Sequence, residues 1–139
     1  MVREKLITEL EQTFRKMLRS YRKEMANLFD SELTTSEFMF LQYLSAHGPT
    51  KVSILADEFQ VNRSHVSNVM DRLYSRRLID RIHSVVDRRI VEVFITEDGT
   101  ELFNVMKQKR SKYFKRRFEH LNDEEINQMV HFFKKMKRV

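Results

Sequence analysis

Residues 52–96 read VSILADEFQVNRSHVSNVMDRLYSRRLIDRIHSVVDRRIVEVFIT, and this segment specifies the central architecture of the chain. Its pattern predicts two short helices, 52–59 and 63–76, with a tight turn between them and a basic β-hairpin after them. The second helix carries one apolar face at the i, i+3, i+4 and i+7 spacing, formed by Val66, Val69, Met70 and Leu73. The centre of the protein is therefore expected to be a helix pair followed by a hairpin, or wing.

The opposite face of the second helix is rich in short polar side chains and arginine. Asparagine can hydrogen-bond adenine with two bonds, and arginine can bind guanine or phosphate. Arg63 lies nearer the apolar edge, but its place at the helix N-terminus favours a phosphate contact. Ser64 could support the helix cap at Asn62 instead of contacting DNA. An exposed face without function would more usually carry lysine and glutamate. The candidate residues for reading a major groove of DNA are Arg63, Ser64, His65, Ser67, Asn68 and Arg72.

Composition and charge also point to a polyanionic partner. The net charge is +6 and the pI is about 9.7, and residues 61–90 hold seven arginines against three aspartates. Because the chain has no cysteine, disulfides and thiolate metal sites are excluded. Its longest apolar run, 38–41, is far shorter than the roughly 20 residues of a membrane span. We expect a single domain in the cytoplasm with no membrane partner.

The sequence carries no motif that would support catalysis or the binding of a cofactor or a metal. The chain contains no phosphate-binding glycine loop, no glycine-rich dinucleotide turn and no nucleophile elbow. The five histidines form no HxxxH or HExxH pair, which are spacings that place two ligands on one helix face. We therefore expect a protein that is not an enzyme and binds neither a cofactor nor a metal.

Long helices are predicted on both sides of the central segment, over 2–29, 97–120 and 123–137. A capping box at 34–37 opens a further helix over 35–46, and a second capping box at 122–125 opens the last one. The first helix has an apolar stripe too long for a core of this size, so we expect it to pack partly against a second subunit. In the last helix the residues expected to point inward are Ile126, Met129, Val130, Phe133 and Met136.

The whole chain resembles the MarR (multiple-antibiotic-resistance regulator) family of winged-helix transcription factors. The segment LTTSEFMFLQYL resembles the second helix of the family, and Leu55-Ala56 with the 63–76 helix resembles its helix-turn-helix. Asp87-Arg88-Arg89 followed by VFITEDG at 93–99 resembles its wing signature, and this match is the most specific. Arg77 stands where the family usually has glycine; in a left-handed conformation it costs about 1 kcal/mol or somewhat more.

The resemblance implies a fold, a function and several roles. The fold is mainly α with a small β-wing, in which residues 34–96 form the winged helix-turn-helix and residues 1–33 and 97–139 form helical dimerisation regions. The function is binding of a homodimer to a pseudo-palindromic double-stranded DNA operator, with half-sites roughly 34–36 Å apart. Repression is favoured, with release by a small lipophilic or aromatic effector. Arg89 would enter the minor groove, Asp87 would hold the wing tip by pairing with a nearby arginine, and Arg88 would contact phosphate.

Two alternatives to a sequence-specific regulator remain open. A nucleic-acid packaging protein would bind with a salt-dependent affinity but without base preference. A basic helical module could bind an acidic protein partner, since residues 107–117 hold seven basic residues and no acidic one. The same segment could also be an ordinary solvated helix face or a secondary phosphate contact.

Overall fold

The structure, a computed structural model, describes residues 1–29 and 32–137. In these residues the chain forms α1 (Val2–Phe29), α2 (Thr35–His47), β1 (Thr50–Lys51), α3 (Val52–Phe59), α4 (Arg63–Ser75), β2 (Ile79–His83), β3 (Val91–Ile95), α5 (Glu97–Arg117) and α6 (Asp123–Met136). The expected fold class, mainly helical with a small antiparallel wing, is confirmed. The fifth helix ends three residues earlier than predicted, because the chain turns at Phe118 toward the cap of α6.

Helix boundaries follow the capping chemistry written in the sequence. The Thr34 hydroxyl accepts a hydrogen bond from the Glu37 N–H at 3.1 Å, and the Glu37 carboxylate accepts one from the Thr34 N–H at 2.9 Å. Asn122 and Glu125 repeat this reciprocal pair at the start of α6. Gly48 ends α2 with a φ of 74°, a conformation that glycine adopts without steric cost.

The sheet has one strand that the sequence pattern did not reveal. Its order is β1-β3-β2, and both pairings are antiparallel. The two-residue strand β1 pairs through Thr50 with Val93 and through Lys51 with Glu92. A strand this short has no recognisable alternation, and it exists because β3, far along the chain, supplies its partner.

The core lies under the central segment and the adjoining helices. The four apolar residues of α4 are fully buried, together with Leu41 and Leu44 of α2 and Leu55 of α3. Phe38 links this core to its neighbours, since its ring lies 5.1 Å from that of Phe29 in α1 and 5.2 Å from that of Phe103 in α5. The winged helix-turn-helix, the end of α1 and the first half of α5 therefore form one packed unit.

The prediction that the apolar residues of α6 point inward is wrong for the single chain. No residue of α6 is buried, and the side chains of Val130, Phe133 and Met136 are about half exposed. The stripe of α1 is similar, because Leu10 is 63% exposed and Phe14 is 43% exposed. One chain has too few elements to cover these faces, so they remain open in the described structure.

Candidate DNA-binding surface

Helix α4 presents its polar face because its apolar face is held in the core. The Asn62 side chain accepts a hydrogen bond from the His65 N–H at 2.7 Å and so begins the helix. Before it, Gln60 adopts the left-handed conformation with a φ of 52°, which turns the chain tightly after α3. Helices α3 and α4 form a helix-turn-helix in which α4 is the second helix.

All six candidate residues of α4 are exposed on this helix: Arg63, Ser64, His65, Ser67, Asn68 and Arg72. Across residues 1–29 and 32–137, the side chains of Asn68 and Arg72 make no hydrogen bond or ion pair, so their donors and acceptors face solvent. His65 differs, since its ring lies 6.3 Å from the ring of Phe40 in α2. The surface thus offers freely available hydrogen-bonding groups, with His65 partly oriented by an aromatic neighbour.

The wing tip is a compact turn closed by backbone and side-chain bonds. The Ser84 N–H donates to the Ile90 carbonyl at 2.8 Å, and the Ile90 N–H donates to the Asp87 carbonyl at 3.0 Å. The Ser84 hydroxyl oxygen accepts from the Val86 N–H at 3.3 Å. His83 Nδ1 lies 2.7 Å from the Arg88 carbonyl oxygen and so joins the last residue of β2 to the turn.

The partner of Asp87 in this turn is Arg89. One carboxylate oxygen accepts from the Arg89 backbone N–H at 3.0 Å and from its Nε at 3.1 Å, and the other accepts from Nη2 at 3.1 Å. The Arg89 side-chain hydrogen bond, and secondarily its backbone bond, lower the pKa of Asp87 below the ordinary 3.8. Because the Arg89 side chain is 90% exposed, it is oriented while remaining open to solvent. Arg88 beside it is exposed as well.

Arg81 connects the wing to α4, and no pattern in the sequence indicated this contact. Its guanidinium lies 2.6 Å from the Asp71 carboxylate of α4 and 4.4 Å above the centre of the Tyr74 ring. The helical period places Asp71 on the polar side of α4, and this contact draws its carboxylate toward β2. A residue's alternation in a strand gives its face of the sheet, not the helix that packs there, so no local signal marks the pair.

The segment that follows α4 contacts both α2 and the start of α5. Arg76 donates to the Glu32 carbonyl at 2.6 Å and lies 3.8 Å from the buried Glu37 carboxylate of α2. Arg77 adopts the left-handed conformation, with a φ of 61°, as the family's usual glycine would. The Thr96 hydroxyl donates to the Arg77 carbonyl at 2.7 Å and accepts from the Gly99 N–H at 3.1 Å, so it also caps α5.

The described residues contain neither a cluster of metal ligands nor a helix suited to a membrane. In the described residues, no group of three or more His, Asp or Glu side chains lies close enough together to hold a metal ion. Over the same residues, no helix combines the length and the apolar composition that crossing a membrane demands.

Comparison with known proteins identifies the family. The MarR family model matches residues 33–91. The HTH-type transcriptional regulator YpoP of Bacillus subtilis is 35% identical over 97% of this chain and 96% of its own length. The HTH-type transcriptional repressor MdtR of the same organism is 27% identical, over 96% of this chain and 86% of its own.

A solved structure of BpsR from Bordetella bronchiseptica superposes on this chain with a TM-score of 0.72. The two chains are 28% identical, and the match covers 91% of this chain and 98% of that one. That structure describes regulation of DNA binding by 6-hydroxynicotinic acid. With a matching family model, a full-length relative and a shared winged helix, this chain belongs to the MarR family of non-enzymatic, DNA-binding transcriptional regulators.

Proposed function

We propose that the protein is a homodimeric repressor that binds a pseudo-palindromic operator and leaves it when a small effector binds. The observation that carries the proposal is the pairing of an unoccupied polar face on α4 with an exposed, oriented arginine on the wing. Such a pair suits major-groove reading by a helix and minor-groove contact by a wing. A regulator of this kind acts in the cytoplasm, where its operator lies.

The open apolar faces of α1 and α6 support the dimer. They enclose a groove of about 510 Å³ whose walls are almost entirely apolar, lined among others by Leu10, Phe14, Met17, Met129, Phe132 and Phe133. A contiguous apolar surface of this kind is typical of a protein interface. A second copy of the chain would cover it with the same residues, as a two-fold interface requires.

The residues of α4 divide by the groups that they can contact. Asn68 and Arg72 can bond base edges in the major groove, and Ser64, His65 and Ser67 add shorter donors and acceptors around them. Arg63 at the helix N-terminus suits a phosphate oxygen, because the unpaired N–H groups and the helix dipole also attract an anion there. Base reading and positioning would thus come from different parts of the same helix.

The wing residues would act together. Arg89 would enter the minor groove, which attracts arginine most where A·T runs narrow it. Asp87 holds the guanidinium before DNA arrives, so less conformational freedom would be lost on binding. Arg88 would contact phosphate, which positions the protein without specifying sequence.

Repression and effector release follow the two relatives whose names state them. MdtR is a repressor, and DNA binding by BpsR is regulated by an aromatic acid. In this chain a groove of about 590 Å³ between α5 and α6 combines the cations Lys107, Arg110 and Lys115 with the rings of Phe114 and Phe118. This lining suits a small acidic aromatic compound, because the rings can stack on it while the cations bind its carboxylate.

The first experiment is selection of bound duplexes from a random DNA library by the purified protein at physiological salt. Enrichment of an inverted repeat is expected. Binding without enrichment would favour the packaging function, and absence of binding in effector-free protein would favour the protein-interaction module.

Variants then test the roles of single residues on the selected operator. Arg89→Ala should weaken operator binding in a fluorescence anisotropy titration at fixed salt while leaving the dimer intact, and Arg3→Ala, which removes an exposed arginine far from the wing, is the matched control. Asn68→Ala should cost about 1–3 kcal/mol at the one base pair it contacts, whereas the exposed Asn104→Ala on α5 should not. Equal losses on operator and random duplex would contradict base reading by Asn68.

A further inference from the structure

Two adjacent valines occupy the outermost point of the wing. Val85 and Val86 are 102% and 96% exposed, which makes them the most exposed large apolar side chains in the described residues. They follow Ser84 directly and precede Asp87, so they sit in the same turn as the Asp87–Arg89 pair. The wing therefore ends in two exposed apolar side chains, which Arg88 and Arg89 follow in the chain.

The turn itself does not need these side chains. Its closing bonds are made by the Ser84 hydroxyl, the Asp87 carboxylate and the backbone, and neither valine contributes to the core. Turns are usually built from Gly, Asn, Asp, Ser and Pro, which suit their backbone geometry. Single exposed apolar residues are ordinary. Two consecutive β-branched residues at the tip of the wing indicate instead that a binding partner covers them.

The neighbouring charges indicate the chemistry of that partner. Arg88 and Arg89 are exposed within three residues of Val86, so the tip matches a surface that is anionic and also offers apolar contacts. The minor groove of DNA is such a surface, because its walls are formed by deoxyribose rings that carry phosphates along their outer edges. Valine lacks the longer reach of the Phe, Leu, Ile and Met side chains that wedge between base steps, so contact with the sugar walls suits it better.

We propose that Val85 and Val86 pack against the deoxyribose walls of the minor groove beside the Arg89 guanidinium. This inference rests on the proposed function, in which the wing enters that groove. The valines add an apolar, sequence-tolerant contact to the charged one. Because both walls are within reach only in a narrow groove, the contact strengthens the preference of the wing for narrow A·T-rich segments.

The double variant Val85→Ser/Val86→Ser tests the contact. Both side chains are exposed and serine suits a turn, so the thermal unfolding midpoint should match that of the unchanged protein. Operator affinity, measured by anisotropy at several salt concentrations, should fall about tenfold, as expected for removal of partly buried methyl groups. Val105→Ser removes an exposed valine from α5 and should leave the affinity unchanged.

The salt dependence separates the apolar contact from a charged one. Loss of the valines should leave the slope of log affinity against log salt unchanged, because no counterion is released by an apolar contact. Arg88→Ala should reduce that slope by about one phosphate contact. A reduced slope in the valine variant would overturn the proposal, since the substitution would then act by displacing a cation.

Two further outcomes would also decide against the valine contact. Unchanged operator affinity in the double variant overturns it directly. If instead the unchanged protein binds phosphatidylglycerol vesicles and the double variant does not, with operator affinity unaltered, the tip is a membrane contact. Failure of the library to enrich an operator would count against the sequence-specific function alone, because the valine comparison can be made on any duplex that the protein binds.

Discussion

The guanidinium of Arg81 lies 2.6 Å from the Asp71 carboxylate and 4.4 Å above the centre of the Tyr74 ring. Through these two contacts, β2 is attached to the exposed side of α4. The wing and α4, which approach different grooves in the proposed complex, are therefore linked by this side chain in addition to the core that Ile79 of β2 and Val93 of β3 share with α4.

Arg81→Ala should lower the free energy of unfolding by about 1 kcal/mol. Asp71 is 69% exposed and Arg81 is 40% exposed, so solvent screening limits the ion pair to about 0.2–1 kcal/mol, and the stacking on Tyr74 adds about 0.5–1 kcal/mol. Urea unfolding of Asp71→Asn, Arg81→Ala and the double variant measures the coupling. Strictly additive effects of the two substitutions would show that the pair contributes nothing.

The titration of Asp87 should report its pairing with Arg89. Because its pKa is lowered in the folded chain, the stabilisation of the tip is complete above pH 3.8 and is lost as the pH falls through the lowered pKa. A carboxyl-carbon NMR titration should give a midpoint below 3.8, and Arg89→Ala should raise it. Arg89→Lys, which keeps the charge but not the planar fork, should give an intermediate value, and an unmoved midpoint in the alanine variant would exclude Arg89 as the cause.

Arg77→Gly should stabilise the protein by about 0.5–1 kcal/mol. The left-handed conformation costs a non-glycine residue about 1–2 kcal/mol, while glycine loses about 0.5–1 kcal/mol in backbone entropy. In the described residues the Arg77 side chain makes no ion pair that the substitution would remove. Arg77→Ala keeps the strain and is the control, so equal unfolding free energies for the glycine and alanine variants would contradict the explanation.

Leu10→Lys should convert the proposed dimer to a monomer. Leu10 is 63% exposed in the single chain, so the substitution spares the fold but places a charge in the interface of both copies. Two lost leucine contacts, at roughly 1.5 kcal/mol or more each, raise the dimer dissociation constant at least about a hundredfold. Sedimentation equilibrium measures the shift, and Ile54→Lys on α3, which is 44% exposed outside the groove, should remain dimeric.

The parts of the fold that could be predicted are those encoded by residues close together in the sequence. The caps at Thr34, Asn62 and Asn122 each depend on a side chain and a backbone group three residues apart, so spacing alone identifies them. The buried face of α4 follows from helical periodicity in the same way. Whether Arg77 keeps the left-handed conformation of the family's usual glycine was left open by the sequence, and the structure shows that it does.

The features that were missed depend on elements distant in the sequence. Strand β1 exists only through β3, and Arg81 finds Asp71 only after the wing folds against α4. The apolar pattern of α6 predicted burial that the described chain does not show, because no element of the same chain covers that face. Among the site residues, the exposure of the α4 candidates follows from the helical spacing of the buried face. Their contacts with DNA remain predictions.

The Thr96 hydroxyl bonds to the Arg77 carbonyl, just after α4, and to the Gly99 N–H in the first turn of α5. It therefore fixes the corner between these two helices. The chain is closely packed at this corner, since a Cβ at Gly99 would lie 2.0 Å from the Leu78 carbonyl oxygen. Helix α5 has 21 residues and so extends about 32 Å from that corner. If α4 and α5 move as one rigid unit, a tilt of about 10° would displace the far end of α5 by about 6 Å and would turn α4 by the same angle. In the proposed dimer, a change in the packing at the far ends of the two α5 helices would therefore change the distance between the two α4 helices without a flexible joint.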